Sequence, residues 1–188
     1  MNFSIEPYVL GGDPGKTGAI VGVSRQGLRI LRTPHMKSAK GRGEEILYGQ
    51  MWNEFKRLFI EWPGSRPRHA FIERVQAMPQ QGGSSMFKFG YSAGFMRGLI
   101  VAAQIPLDMV EPAAWKKTAR LPNKSDKEVC IPRACELWPN QVEELTPKRG
   151  HWTKEECKGV CDAALIGYHG LSLLGLLNDK PVDNEFDF

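Results

Sequence analysis

Three short apolar runs stand close together at the start of this 188-residue chain: Tyr8–Leu10, Ala19–Val23 and Leu28–Leu31. Gly11-Gly12-Asp13-Pro14-Gly15 separates the first two, and Arg25-Gln26-Gly27 the last two. Connections this short and rich in Gly leave no room for a crossover, so the runs predict an antiparallel meander of three strands. Beyond it the pattern changes. Glu44–Ile60 has helical periodicity through Ile46, Leu47, Met51, Phe55, Leu58 and Phe59. His69–Glu73 is a short buried strand, Ser84–Gln104 a long helix, and Leu107–Val110 another short strand. Pro34–Gly43 is expected to be a loop and Pro112–Asp126 a basic connection, with helices near Lys127–Leu137 and Thr153–Leu177 closing the core. Three strands followed by alternating helices and strands imply an α/β domain whose later strands join the meander in parallel through right-handed crossovers. The length suits one well-buried core, so residues 1–177 are expected to form one domain.

Charge narrows the partners. The formal net charge is +4, but the segment Asn178–Phe188 sets Asp179, Asp183, Glu185 and Asp187 against Lys180. That tail carries −3 and the body therefore +7; a basic body suits a polyanion, and the tail is expected to be disordered. No apolar stretch has the length of a membrane span, and the N-terminal residues lack the basic and apolar regions of a secretory leader. A cytoplasmic protein with no membrane partner is the expectation. Cys130, Cys135, Cys157 and Cys161 lack the two-residue spacing of a zinc knuckle and read as buried reduced thiols. Gly15-Lys16-Thr17 resembles the end of a phosphate-binding loop, but that motif needs Gly where Leu10 stands.

Three acids stand out by their neighbours. Asp13 follows an apolar strand and precedes Pro14-Gly15, which turns the chain. Glu73 closes the apolar run Ala70-Phe71-Ile72, and Asp162 sits inside the apolar helical run Val160–Ile166. An unpaired charge there costs several kcal/mol. Carboxylates converging on one sheet edge repel unless cations lie between them, and Mg²⁺ or Mn²⁺ are hard ions that take oxygen ligands. Simpler roles remain open for each acid: a turn former at Asp13, a pair with Arg74 for Glu73, a pair with Lys158 for Asp162.

Gly12-Asp13-Pro14-Gly15 after a first strand, Phe71-Ile72-Glu73 ending the fourth, and Cys161-Asp162-Ala163-Ala164-Leu165-Ile166 on the last helix together resemble the RuvC family of Holliday-junction resolvases. The segment Pro112-Ala113-Ala114-Trp115-Lys116-Lys117 followed by Ser125-Asp126-Lys127-Glu128 is similar to its phage-type branch. The resemblance implies an RNase H-like fold, a five-stranded mixed sheet flanked by helices, in a homodimer that cuts two opposing strands of a four-way DNA junction. It assigns Asp13, Glu73 and Asp162 to Mg²⁺, which Mn²⁺ can replace, and puts Lys127 among the catalytic residues. Lys116, Lys117, Lys127, Gln76, Met78 and Phe87 become the DNA-contacting set. A junction-binding protein with weak cleavage, or a hydrolase of RNA–DNA hybrids, is the alternative.

The match departs from the family in two places. Where the family usually has a fourth acid or His, one turn before the last acid, this chain has Lys158 and Gly159. Glu155 shares the face of Asp162 but lies about 10 Å away along the helix, so it reaches the site only from an irregular helix start. Gln76 occupies the family's aromatic wedge position, leaving Met78, Phe87 or Phe89 for that role. Finally, Gly90, Gly94 and Gly98 form a small-residue stripe on the long helix, expected either to pack on the last helix of the same chain or to form the two-fold dimer contact.

Overall fold

A computed structural model of the chain describes residues 6–37, 44–61, 66–75, 82–122, 129–148 and 151–177. Its centre is a five-stranded mixed sheet. Strands β1 (Val9–Asp13), β2 (Ala19–Val23) and β3 (Leu28–Arg32) form the expected meander. Two further strands lie outside the sheet, β4 (His35–Lys37) and β5 (Glu44–Ile46), paired with each other. β6 (Ala70–Glu73) joins β1 in parallel, and β7 (Leu107–Val110) joins β6 in parallel. The spatial order is β3-β2-β1-β6-β7.

β1, β2 and β6 are buried on both faces, which is why their sequences are almost continuously apolar. Successive side chains alternate between two cores. Tyr8, Leu10, Ile20, Ala70 and Ile72 face one layer, formed by α1 (Tyr48–Phe55), its π-helical continuation Lys56–Ile60, and α2 (Gly83–Ala102). Val9, Ala19, Val21, Val23 and Phe71 face the other. That layer contains α3 (Pro112–Thr118), α4 (Cys130–Leu137), α5 (Val142–Leu145) and the long α6 (Lys154–Leu173). None of the described helices is long and apolar enough to cross a membrane.

Several boundaries differ from those expected. Glu44–Ile46 is a strand rather than the first turn of a helix, because its backbone pairs with His35–Lys37. β4 likewise occupies part of the expected loop. Pro112–Thr118, read as a connection, is a helix with Pro112 in its first turn. The Gly90, Gly94 and Gly98 stripe does not pack on the last helix. α2 and α6 cover opposite faces of the sheet, and a Cβ at any of the three glycines would meet nothing within 4 Å. The acidic tail lies outside the described residues.

Candidate active site

Asp13 is the last residue of β1 and Glu73 the last of β6. These strands are parallel neighbours, with Gly12 opposite Ile72, so both carboxylates emerge at the same edge of the sheet. Asp162 comes from α6, which crosses directly over β1. A methyl group at Gly11 would stand 2.0 Å from the Ala163 carbonyl oxygen, so only glycine lets the helix lie this close to the strand. Asp162, the residue directly before Ala163, is thereby delivered to the edge where Asp13 ends.

The electrostatics of the three acids are shared. Burial, then the charges of Asp162 and Glu73, push the Asp13 carboxyl well above its ordinary value against the pull of Lys158. Burial likewise raises Glu73; the Trp115 hydrogen bond opposes it, Asp162 adds to it, and Lys116 and Lys158 oppose it. Trp115 is buried on α3 and donates its indole N–H to Glu73 Oε1 at 3.1 Å. Lys158 donates to Asp162 Oδ2 at 3.0 Å. The pairing considered for Asp162 is therefore present. The pairing considered for Glu73 is not: Arg74 binds Glu111 instead, at 2.7 Å.

In this arrangement, among the described residues, no three His, Cys, Asp or Glu side chains stand close enough to hold an ion between them. The donor chemistry nevertheless fits a hard divalent cation. Asp13 and Glu73 close neighbouring strands, Asp162 adds its negative charge to both, and Lys158 hydrogen-bonds Asp162. Asp13, Glu73 and Asp162 are the residues that could hold such an ion. Glu155 does not complete the set: it is exposed, and α6 begins regularly with a capping box between Thr153 and Glu156.

The basic residues flank this edge unequally. Lys116 sits with its ammonium 5.4 Å from the centre of the Trp115 ring, and its charge reaches Glu73. Lys117 is exposed on the same helix, beside a shallow hollow it shares with Arg120. Phe87 is 75% exposed at the start of α2. It lines a cavity of about 550 Å³ with Phe89, Tyr48, Tyr91, Lys16 and Lys88. That cavity adjoins the turn after Asp13, since a Cβ at Gly15 would touch the Phe89 ring at 3.5 Å. Lys127, Gln76 and Met78 lie outside the described residues.

Two functional contacts escaped sequence reasoning. Trp115 belonged to a recognised motif, but its bond to Glu73 spans 42 residues and left no local signal. The Cys130 thiol hydrogen-bonds Asp162, and burial together with that carboxylate pushes it up to about 12. All four cysteines are free thiols; Cys130, Cys157 and Cys161 are buried and Cys135 is partly buried. Trp115→Phe keeps the ring packing and removes the donor. It is expected to raise the Glu73 carboxyl further and, if Glu73 ligates a divalent ion, to lower the affinity for that ion about ten-fold or more, with little loss in melting temperature; calorimetric ion titration and a thermal melt check both.

The fold these elements define is RNase H-like and of the RuvC type. A solved structure of T. thermophilus RuvC in complex with a Holliday junction substrate superposes with a TM-score of 0.54 at 14% identity, covering 91% of this chain and 98% of that one. A second Thermus thermophilus RuvC structure gives 0.53 at 16% identity, covering 90% and 97%. No protein-family model and no curated protein matches the sequence.

Proposed function

We propose that this chain is a divalent-metal-dependent, structure-selective DNA endonuclease that resolves four-way junctions. What supports the reading is that Asp13 and Glu73 end neighbouring parallel strands of a RuvC-like sheet and that the charge of Asp162 acts on both. The basic body and the Lys116 and Lys117 pair beside that edge support a phosphodiester substrate.

Asp13, Glu73 and Asp162 hold the ion, Mg²⁺ or in its place Mn²⁺. When bound, the ion lowers the pKa of a water for in-line attack and draws charge from the phosphate. Trp115 fixes the Glu73 carboxylate through its indole N–H, so that ligand enters the reaction already oriented. Lys116 places an ammonium where it offsets charge building on the phosphorus centre. Lys117 binds a flanking phosphate, and Phe87 stacks on unpaired bases where the junction opens; Lys127, in the catalytic role the resemblance gives it, and Gln76 and Met78 are the other residues assigned to DNA contact.

A junction enzyme that makes two symmetric cuts needs two sites related by a two-fold axis. The outward face of α2 supplies a contact for it: exposed Tyr91 and Val101 border glycines 90, 94 and 98, whose added Cβ atoms would meet nothing. Gly94→Leu is expected to convert a dimer to monomers in sedimentation and to leave at most single-strand nicks. An unchanged dimer would move the interface elsewhere.

The Lys158–Asp162 pair favours one second reading, a junction-binding protein with weak cleavage. Mg²⁺-dependent cutting of a synthetic four-way junction, compared with linear duplex and with an RNA–DNA hybrid, separates the readings. The proposal expects paired cuts in the junction alone. Tight junction binding without cuts supports the second reading, and preferential cutting of the hybrid would make the protein a ribonuclease.

A further inference from the structure

One turn of α6 before Asp162, the site carries a cation of its own. Lys158 Nζ lies 3.0 Å from Asp162 Oδ2, with 36% of the lysine side chain and 15% of the aspartate side chain exposed. Its charge also reaches Asp13 and Glu73. An ammonium hydrogen-bonded to a carboxylate is charged at neutral pH.

The neighbouring position closes off the alternative. A Cβ at Gly159 would stand 2.0 Å from the Thr17 carbonyl oxygen and 2.9 Å from Gly18 Cα. Both are backbone atoms of the turn that follows Asp13, so no side chain fits at 159, and no further oxygen donor can project from there. The other group on Asp162 is the Cys130 thiol, a sulfur and not an oxygen donor. This turn of the helix thus offers the carboxylates a fixed positive charge and no additional ligand.

We propose that Lys158 is a resident cation of the catalytic centre, neutralising the Asp162 side of the site, and that each chain therefore takes up one divalent ion rather than two. The proposal rests on the reading of Asp13, Glu73 and Asp162 as a metal centre. Charge balance supports it. With all three carboxyls ionised, as metal ligands must be, they and one ammonium leave two negative charges, which a single divalent ion neutralises. A second ion would have to enter a site already balanced, next to an ammonium tethered a few ångströms away, and like charges that close in a partly buried site repel strongly. The ammonium can draw charge from a bound phosphate but cannot coordinate water, so Lys158 takes over the electrostatic role of an ion and none of its water-activating role.

Titrating the intact chain with Mn²⁺, with free ion followed by its paramagnetic resonance signal, counts the ions directly. Wild type is expected to bind one per chain. Lys158→Met keeps the apolar stem and removes the charge; it is expected to bind that ion at least about ten-fold more tightly or to admit a second. A circular dichroism melt shows whether the variant folds, and if it does not, the wild-type count decides alone. Two ions of similar affinity on wild type, or unchanged affinity and count in folded Lys158→Met, would overturn the resident-cation proposal while leaving the metal centre standing. No Mn²⁺ bound to wild type would remove the metal centre itself, and this proposal with it.

Discussion

Asp162→Asn is expected to leave four-way-junction binding within a few-fold of wild type and to lower Mg²⁺-dependent cleavage by at least about a thousand-fold. The several kcal/mol of transition-state stabilisation a catalytic ion supplies correspond to that factor. Asn keeps the size of the side chain and one oxygen, but it loses the charge that balances Lys158 and draws an ion into the site. Gel-shift binding and single-turnover cleavage on the same junction read the two effects separately, and normal cutting by the variant would mean that Asp162 is no ligand. Asp13→Asn should silence cleavage to a similar extent and additionally change stability. The Asp13 and Glu73 carboxyls sit above their ordinary values in the folded protein, so the fold binds protons that the unfolded chain has already released. The stability they contribute is complete below the ordinary carboxylate range, and it is lost as pH rises through their folded values. In chelator, the melting temperature of wild type should therefore fall relative to Asp13→Asn as pH climbs from the carboxylate range toward neutrality. Mn²⁺ should restore it in wild type only.

Gly11→Ala should damage the protein more than any other single methyl group near the site. The new Cβ would stand 2.0 Å from the Ala163 carbonyl oxygen and 2.5 Å from the Gly167 amide nitrogen. Those are helix backbone atoms, and α6 cannot back away without opening the core that Val160, Ala163, Ala164 and Ile166 close against the sheet. Overpacking against side chains typically costs 1–3 kcal/mol; against two fixed backbones the upper end, about 3 kcal/mol or more, is expected. For a chain of this size that is a fall in Tm of roughly 6–12 °C. Gly49→Ala is the control. Nothing lies within 4 Å of its Cβ, and it sits in the first turn of α1, so it should be neutral or stabilise by up to about 1 kcal/mol.

What the sequence made legible was local. Each strand of the sheet was an apolar run bounded by turn residues, and the two strand-end acids announced themselves because a charge directly after such a run must leave the core. The Lys158–Asp162 pair could be read from i,i+4 spacing. Features that depend on distant partners could not be read. Glu44–Ile46 carries an apolar residue in phase with the helix behind it, and only pairing with His35–Lys37 makes it a strand. Pro112–Thr118 is two turns long and buries a single large side chain, Trp115, too little for a periodic signal. The glycines were the hardest to rank. The regular stripe on α2 drew attention, yet its added Cβ atoms would meet nothing within 4 Å, while Gly11 and Gly159, which belong to no such stripe, set the approach of α6 to the strand and turn beneath. A glycine inside a helix costs about 1 kcal/mol relative to alanine, so Gly159, two residues before Cys161-Asp162, was the available sign of close packing. It said nothing about what lay opposite.

The most direct test of the metal centre is a crystal of the intact chain grown with Mn²⁺ and examined by anomalous diffraction. The account predicts an anomalous peak at the end of β1 and β6, ligated by Asp13 and Glu73, with Asp162 turned toward it. Crystals saturated with Mn²⁺ that show no peak within ligand distance of Asp13, or that show the ion bound elsewhere, would contradict it.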